Sequence, residues 1–243
     1  MLSAGNTGII ERLPCGDKVK KSPWPHESSY DKKIQRRQLD REFEVYQRLP
    51  TPHNRLIRMF GFSDDDDRGL VFEYMPNGNL RAFLESHTEI LMAQRKQWCV
   101  EAAEAVVLLH SHGIIHADIK PENMLLDENY GLRIIDMSGA SIDGKSPLSL
   151  ESTRFFLPRS MKDEMPCSIV TDIFALGSSI YQIMTLRQPY EDLMDEEVEA
   201  RFARKEFPEV DGVPHGDVIR KCWMCEFHSA QEVLDSLKAI PID

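Results

Sequence analysis

At 243 residues and 27.9 kDa the chain can form one large domain or two small lobes with a buried core, and 42% hydrophobic against 28% charged residues excludes wholesale disorder. A net charge of −11 disfavours nucleic acid as the principal partner, and no apolar stretch approaches the about 20 residues that span a bilayer. Residues 1–60 nevertheless sum to +5 and the remainder to −16, so a basic front joins an acidic body.

Gly5-Asn6-Thr7-Gly8 is turn chemistry, Ile9–Leu13 is strand-like, and Cys15-Gly16-Asp17 predicts a second turn before a strand at Lys18–Lys21. Ser22-Pro23-Trp24-Pro25 stops that strand, because neither proline can donate to a ladder. Leu39, Phe43, Tyr46 and Leu49 recur in steps of four and three, which predicts one amphipathic helix from about Asp31 to Leu49. Leu56–Phe62 and Gly69–Tyr74 read as strands around Asp64-Asp65-Asp66-Asp67, an acidic run expected to be a solvated turn and not a metal site. Met75-Pro76-Asn77-Gly78-Asn79 is a linker, and beyond it helices dominate. Gln94–His112 and Thr171–Thr185 carry the helical apolar pattern, and a hairpin of Met124–Leu126 and Leu132–Asp136 lies between them. Met1–Gly16 lacks the charged and apolar regions of a secretory signal, and the five cysteines (Cys15, Cys99, Cys167, Cys222, Cys225) are few and odd in number. Both features predict a reducing, intracellular setting, cytoplasmic or nuclear. Cys222 and Cys225 have zinc spacing without a second pair, so they are expected to pack in the core.

The chemistry concentrates in His116-Ala117-Asp118-Ile119-Lys120-Pro121-Glu122-Asn123, followed by a second aspartate in Ile134-Ile135-Asp136-Met137-Ser138-Gly139. One carboxylate can receive or orient the proton of an attacking hydroxyl, a lysine two residues on can reach a transferring phosphoryl group, and an amide with a further carboxylate can hold magnesium on nucleotide phosphates. Phosphoryl transfer is mainly positioning and charge neutralisation, which suits short oxygen ligands at the ends of a rigid hairpin. His116 is expected to pack and hydrogen-bond beside this loop and not to titrate in the reaction.

These residues resemble the catalytic loop of eukaryotic-type protein kinases, His-Arg-Asp-Leu-Lys-Pro-Glu-Asn, at six of eight positions, and the resemblance extends over essentially the whole chain. It implies an α+β, two-lobed protein kinase-like fold. Residues 1–74 would form a small β-rich lobe with a truncated first strand, residues 75–79 the exit of the hinge, and residues 80–243 a larger helical lobe. The chain looks like a divergent, fungal-like Ser/Thr form that lacks the arginine before the catalytic aspartate. The resemblance makes Asp118 the catalytic base, Lys120 the contact to the γ-phosphate, Asn123 a magnesium ligand, and Asp136 the carboxylate that holds magnesium between phosphates. Lys21 fits the lysine that binds the α- and β-phosphates better than Lys20, because strand alternation puts Lys21 on the face of Val19. Glu42 is its expected partner, since Glu44 lies about 200° further round the helix. Phe72 would back the adenine pocket, and Glu73–Met75 would offer backbone hydrogen bonds to the base. Gly5 and Gly8 would match the second and third glycines of the phosphate loop.

The departures are specific. Ser3 stands at the first loop glycine, and Ser138 replaces the glycine two after Asp136, a change expected to affect dynamics more than chemistry. Ala117 removes the guanidinium that would receive an activation-segment phosphate, although Ser141, Ser146, Ser149, Ser152 and Thr153 remain as acceptors. Leu157-Pro158-Arg159 stands where Ala-Pro-Glu is usual, and with no counterpart arginine near Cys222–Ser229 both halves of that ion pair are expected to be absent together. Thr153 is expected to support Asp118 and Lys120.

The leading expectation is ATP- and Mg2+-dependent phosphoryl transfer to Ser/Thr hydroxyls of a protein substrate, with no membrane or nucleic-acid partner and with room for a regulatory protein. A nucleotide-binding pseudokinase acting as an interaction module is the alternative from a different class. A small-molecule kinase is a third, opposed by Lys120-Pro121-Glu122.

Overall fold

The computed structural model describes residues 3–5, 8–25, 28–65, 68–159 and 167–240. Its first part is an antiparallel sheet of β1 (Ser3–Gly5), β2 (Gly8–Arg12), β3 (Lys18–Ser22), β4 (Met59–Phe62) and β5 (Leu70–Glu73), in the spatial order β1-β2-β3-β5-β4. Helix α1 (Ser29–Arg48) interrupts the strands and is capped where the Ser28 hydroxyl accepts from the Asp31 amide at 3.2 Å. Gln35, Leu39, Glu42, Tyr46 and Leu49 are all buried, at steps of four and three, so one stripe of a charge-dense helix faces the sheet. Two aromatic pairs, Phe43 with Phe62 at 4.9 Å and Tyr46 with Phe72 at 5.5 Å, fix α1 against β4 and β5.

The strand expected from Leu56 begins only at Met59. Its first residues are spent on the other lobe: Leu56 bridges Ile134, the Arg55 carbonyl accepts from the Ile134 amide at 2.9 Å, and the Arg55 guanidinium pairs with Glu101 and Glu104 at 3.0 Å each. Of the acidic run, Asp64 and Asp65 are exposed and Asp65 takes Lys20; Asp66 and Asp67 lie outside the described residues.

Beyond the linker come α2 (Leu80–Ser86), α3 (Met92–Ser111), β6 (Ile114–Ile115), the hairpin β7 (Met124–Leu126) and β8 (Leu132–Ile134), and β9 (Ser141–Ile142) paired to β6. Then follow α4 (Ile169–Thr185), α5 (Asp195–Ala203), α6 (Gly216–Trp223) and α7 (Ala230–Lys238). The linker belongs to this lobe, because Asn77 donates to the Asp127 carbonyl at 2.6 Å and the Asn79 side chain caps α2. Helices α3 and α4 are buried on most faces and form the core, joined by α6 and α7. A Cβ on Gly177 of α4 would sit 2.5 Å from the Cys222 Cβ of α6, so only glycine permits this approach, and Cys222 is a packing residue. All five cysteines are free thiols, and no helix among the described residues is long and apolar enough to cross a membrane.

Candidate functional site

Three charged side chains from three distant stretches meet between the lobes. Lys21 of β3 is 5% exposed, and its Nζ lies 2.7 Å from Glu42 Oε2 of α1 and 2.6 Å from Asp136 Oδ1. Lys20, one residue away, points to the opposite face and pairs with Asp65, so strand alternation separates the two lysines. Glu44 likewise turns outward to Lys145. Burial alone would lower the Lys21 pKa, but the Asp136 and Glu42 carboxylates reverse this and push it up. Burial would raise that of Asp136, and the Lys21 ammonium overrides it, holding the carboxyl at about 2. The site is thus a fixed cation between two anions, with Asp136 ionised at neutral pH.

Asp136 adopts φ 61°, ψ 61°, a left-handed conformation that aspartate tolerates better than most residues. The kink lets its side chain leave the end of the hairpin toward Lys21, while the 3-10 turn Met137–Gly139 starts immediately after it. Ser138 lies inside that turn and is buried, and its hydroxyl donates to Asp136 Oδ1 at 2.6 Å. Its effect on the carboxylate is therefore direct, which corrects the expectation that it would act mainly through backbone freedom.

The loop 116–123 hangs from one buried aspartate. Asp172 of α4 accepts the His116 amide at 2.8 Å and the Ala117 amide at 3.0 Å, and holds Ala117 at φ 63°. His116 spans the loop: Nε2 faces the Ile135 carbonyl at 2.9 Å and must carry the hydrogen, leaving Nδ1 to accept from the Asp118 amide at 3.2 Å. Lys120 Nζ sits 2.7 Å from Asp118 Oδ2, which also receives the Asn123 amide nitrogen at 3.1 Å. Asp118 Oδ1 is buried with no hydrogen-bond partner among the described residues. A carboxylate oxygen left bare beside a lysine is an acceptor awaiting a donor. Thr153 makes no bond to Asp118 or Lys120 among the described residues, so the supporting role expected of it is not seen.

Asn123 uses its nitrogen on Asp118, which leaves its carbonyl oxygen for other partners. No group of three His, Cys, Asp or Glu that could hold a metal occurs among the described residues. Magnesium needs no such cage, since it takes one or two carboxylates and completes its shell with phosphates and water. Asn123 and Asp136 fit that requirement.

The remaining expected contacts are uneven. Phe72 is 3% exposed and packs on Tyr46. Of the hinge amides, Glu73 already donates to the Arg58 carbonyl and Tyr74 to the Asp17 carbonyl, so Met75 is the one these bonds leave over. Gly5 pairs with Gly8 across the first hairpin, while Asn6 and Thr7 lie outside the described residues. Gly8 has φ 139°, and a Cβ there would fall 2.2 Å from the Ser22 carbonyl oxygen. Packing against β3 therefore demands glycine at position 8 before any ligand does.

Residues 151–159 hold an ion pair that the sequence did not suggest. Arg159 is not left without a partner: its Nη2 lies 2.7 Å from Glu151 Oε2, whose side chain is fully buried, and its guanidinium stacks 4.3 Å over Phe156. An ion pair is present, but both charges come from one short stretch, where spacing along the sequence gave no signal. Ser141, counted among the phosphate acceptors, is buried in β9 and donates to the Lys145 carbonyl at 2.6 Å. Sequence reasoning also missed Arg41, which nothing in its charge-dense helix distinguishes from Arg36 or Arg37.

The chain is similar to known proteins over most of its length. The family model described as "Protein kinase domain" matches residues 20–235. Aurora kinase C of Mus musculus is 28% identical over 211 residues, covering 85% of this chain and 75% of that protein. Aurora kinase A-A of Xenopus laevis is 32% identical over 173 residues, covering 70% and 42%. Serine/threonine-protein kinase PDK1 of Cryptococcus neoformans is 27% identical over 154 residues, covering 59% and 12%. The chain spans three-quarters of the first relative and less than half of the other two.

Proposed function

Because the chain belongs to the protein kinase domain family, we propose that it transfers the γ-phosphoryl group of Mg2+-bound ATP to Ser/Thr hydroxyls of a protein substrate. The observation that carries this reading is the bare, buried Oδ1 of Asp118 beside Lys120, opposite the assembled Lys21, Glu42 and Asp136. Asp118 accepts and orients the proton of the attacking hydroxyl, and Lys120, anchored on its other oxygen, faces the transferring phosphoryl group. Lys21 holds the α- and β-phosphates and Glu42 keeps it in place. Phe72 closes the back of the adenine pocket, Met75 supplies a hinge amide, Glu73 its carbonyl, and Gly5 and Gly8 lie over the phosphates. Asp136 and Asn123 are the residues that would hold magnesium, which supplies charge neutralisation on the phosphates when bound.

The test is incorporation of labelled phosphate by the purified protein with Mg-ATP. Asp136→Asn removes a charge opposite the divalent ion and should abolish transfer. Asp118→Asn should lower turnover about 10²–10⁴-fold and leave nucleotide binding nearly unchanged. The alternative, a nucleotide-binding interaction module, draws on the Ser138 hydroxyl that already occupies Asp136. Equal incorporation by Asp118→Asn and wild type would select it.

A further inference from the structure

We propose that Ser138 is a positioning residue for the metal on the nucleotide phosphates: its hydroxyl, together with Lys21, fills one oxygen of Asp136 and leaves Oδ2 as the oxygen offered to a divalent ion. The inference deepens the kinase reading and rests on its assignment of Asp136 to the metal.

The family resemblance puts glycine at position 138, and the serine found there brings a donor of its own. Ser138 is 2% exposed within the turn Met137–Gly139, and a hydroxyl so far from water needs a partner. That partner lies two residues back. Ser138 Oγ donates to Asp136 Oδ1 at 2.6 Å, and Lys21 Nζ donates to the same oxygen at 2.6 Å. A carboxylate oxygen has two lone pairs, and these two bonds use both. No hydrogen bond among the described residues reaches Oδ2, and the Asp136 side chain keeps 26% of its surface exposed. The two oxygens are therefore unlike: one is tied inside the protein and the other is open.

This division suits magnesium, which takes one or two protein ligands and completes its octahedron with phosphates and water. Chelation by both oxygens of Asp136 is closed while the two bonds to Oδ1 hold. Lys21 has three N–H donors, of which Glu42 and Asp136 take two, so it can keep Oδ1 and still give one to a phosphate. Asn123 follows the same plan, because its nitrogen bonds to the Asp118 carbonyl at 2.8 Å and to Asp118 Oδ2 at 3.1 Å, which leaves its oxygen over. Each residue that would hold the ion thus has one polar atom braced by the protein and one free. Removing the brace behind a metal ligand costs about 10–100-fold in metal affinity or activity. The Ser138 hydroxyl assists Asp136 and does not compete for it.

Ser138→Ala removes the hydroxyl, and Ser138→Thr keeps it. Calorimetry gives the affinity of each protein for a non-hydrolysable ATP analogue with Mn2+ and with EDTA, and the ratio of the two is the gain that the metal supplies. Ser138→Ala should cut this gain at least tenfold and leave the metal-free affinity within twofold; Ser138→Thr should stay within threefold of wild type. The Mg2+ concentration giving half-maximal phosphate incorporation should rise in parallel for Ser138→Ala alone. An unchanged gain in Ser138→Ala would overturn the assignment, and a larger one would show that the hydroxyl competes with the ion. So would Ser138→Thr as weak as Ser138→Ala, or a metal-free affinity that fell as far as the metal-loaded one. A wild type without any gain from Mn2+ would overturn both this assignment and the kinase reading. A wild type that transfers phosphate beside an unaltered Ser138→Ala would overturn the assignment alone.

Discussion

The front of the activation segment, residues 136–146, and its back, residues 151–159, are each held by an arginine, but the buried Arg41 arrives from the other lobe whereas the half-buried Arg159 belongs to the segment itself. Arg41 meets main-chain carbonyls, and Arg159 meets a fully buried carboxylate. A tie between lobes makes order at the front conditional on where α1 lies. A tie within one stretch makes order at the back a matter of local folding. The molecule therefore separates a part of the segment that can respond to lobe position from a part that is simply built. The exposed pairs Arg48–Asp143 and Lys145–Glu44 run alongside the front tie and add little, since solvent screens them.

Four measurements sharpen or break this contrast. Arg159→Ala should have the largest effect, on stability, because it leaves the Glu151 carboxylate buried and unpaired; a loss of about 3–5 kcal/mol in urea unfolding is expected. Adding Glu151→Gln should recover much of it, and an unchanged unfolding midpoint in the single variant would show that the back is not held by this pair. Glu42→Gln at the front should leave unfolding nearly unchanged and lower kcat/KM for ATP about 10–100-fold, or ~1.4–2.7 kcal/mol. Equal loss of fold and activity there would erase the distinction between the two ends.

A pH dependence comes next in size. The Asp136 pKa is about 2 in the folded protein and ordinary, near about 4, in the unfolded chain. Its contribution to stability is complete well above pH 4 and is lost as the pH falls toward 2, because the unfolded state takes up the proton first. The advantage of wild type over Asp136→Asn in urea should shrink between pH 5 and pH 3, and a constant difference across that range would contradict the ion cluster. The smallest effect is expected from Ser146→Ala with Ser152→Ala. Both residues are exposed, and turnover should stay within about threefold, under ~0.7 kcal/mol. A large loss restored by phosphorylation of the wild type would mean that the front of the segment needs a phosphate after all.

Much of this architecture was legible because it depends on local pattern. The stripe Leu39, Phe43, Tyr46 and Leu49 marks α1, the turn residues mark the hairpins, and the spacing from Asp118 to Asn123 marks the loop. The same alternation that distinguishes Lys21 from Lys20 follows from the pleat alone. What the sequence hid are pairings between residues far apart or of ambiguous type. Leu56 has strand chemistry but is claimed by Ile134 of the other lobe. Arg159 gives no hint of Glu151, and Arg41 is one arginine among several in a charged helix. The constraint on Gly8 comes from the Ser22 carbonyl, and no turn motif encodes such a neighbour.

Asp172 carries a consequence for the order of events during synthesis. The amides of His116 and Ala117 wait for a carboxylate that lies 56 and 55 residues later in the chain. Closing so long a loop costs entropy that is recovered only when α4 docks into the core. A chain emerging from the ribosome would thus make the β7–β8 hairpin early, from near neighbours, while the loop beside it stayed unformed until the second half of the larger lobe was translated. Residues 1–135 alone would hold every atom of the loop 116–123 and none of its tether, so the loop would stay unformed in a nascent or truncated chain.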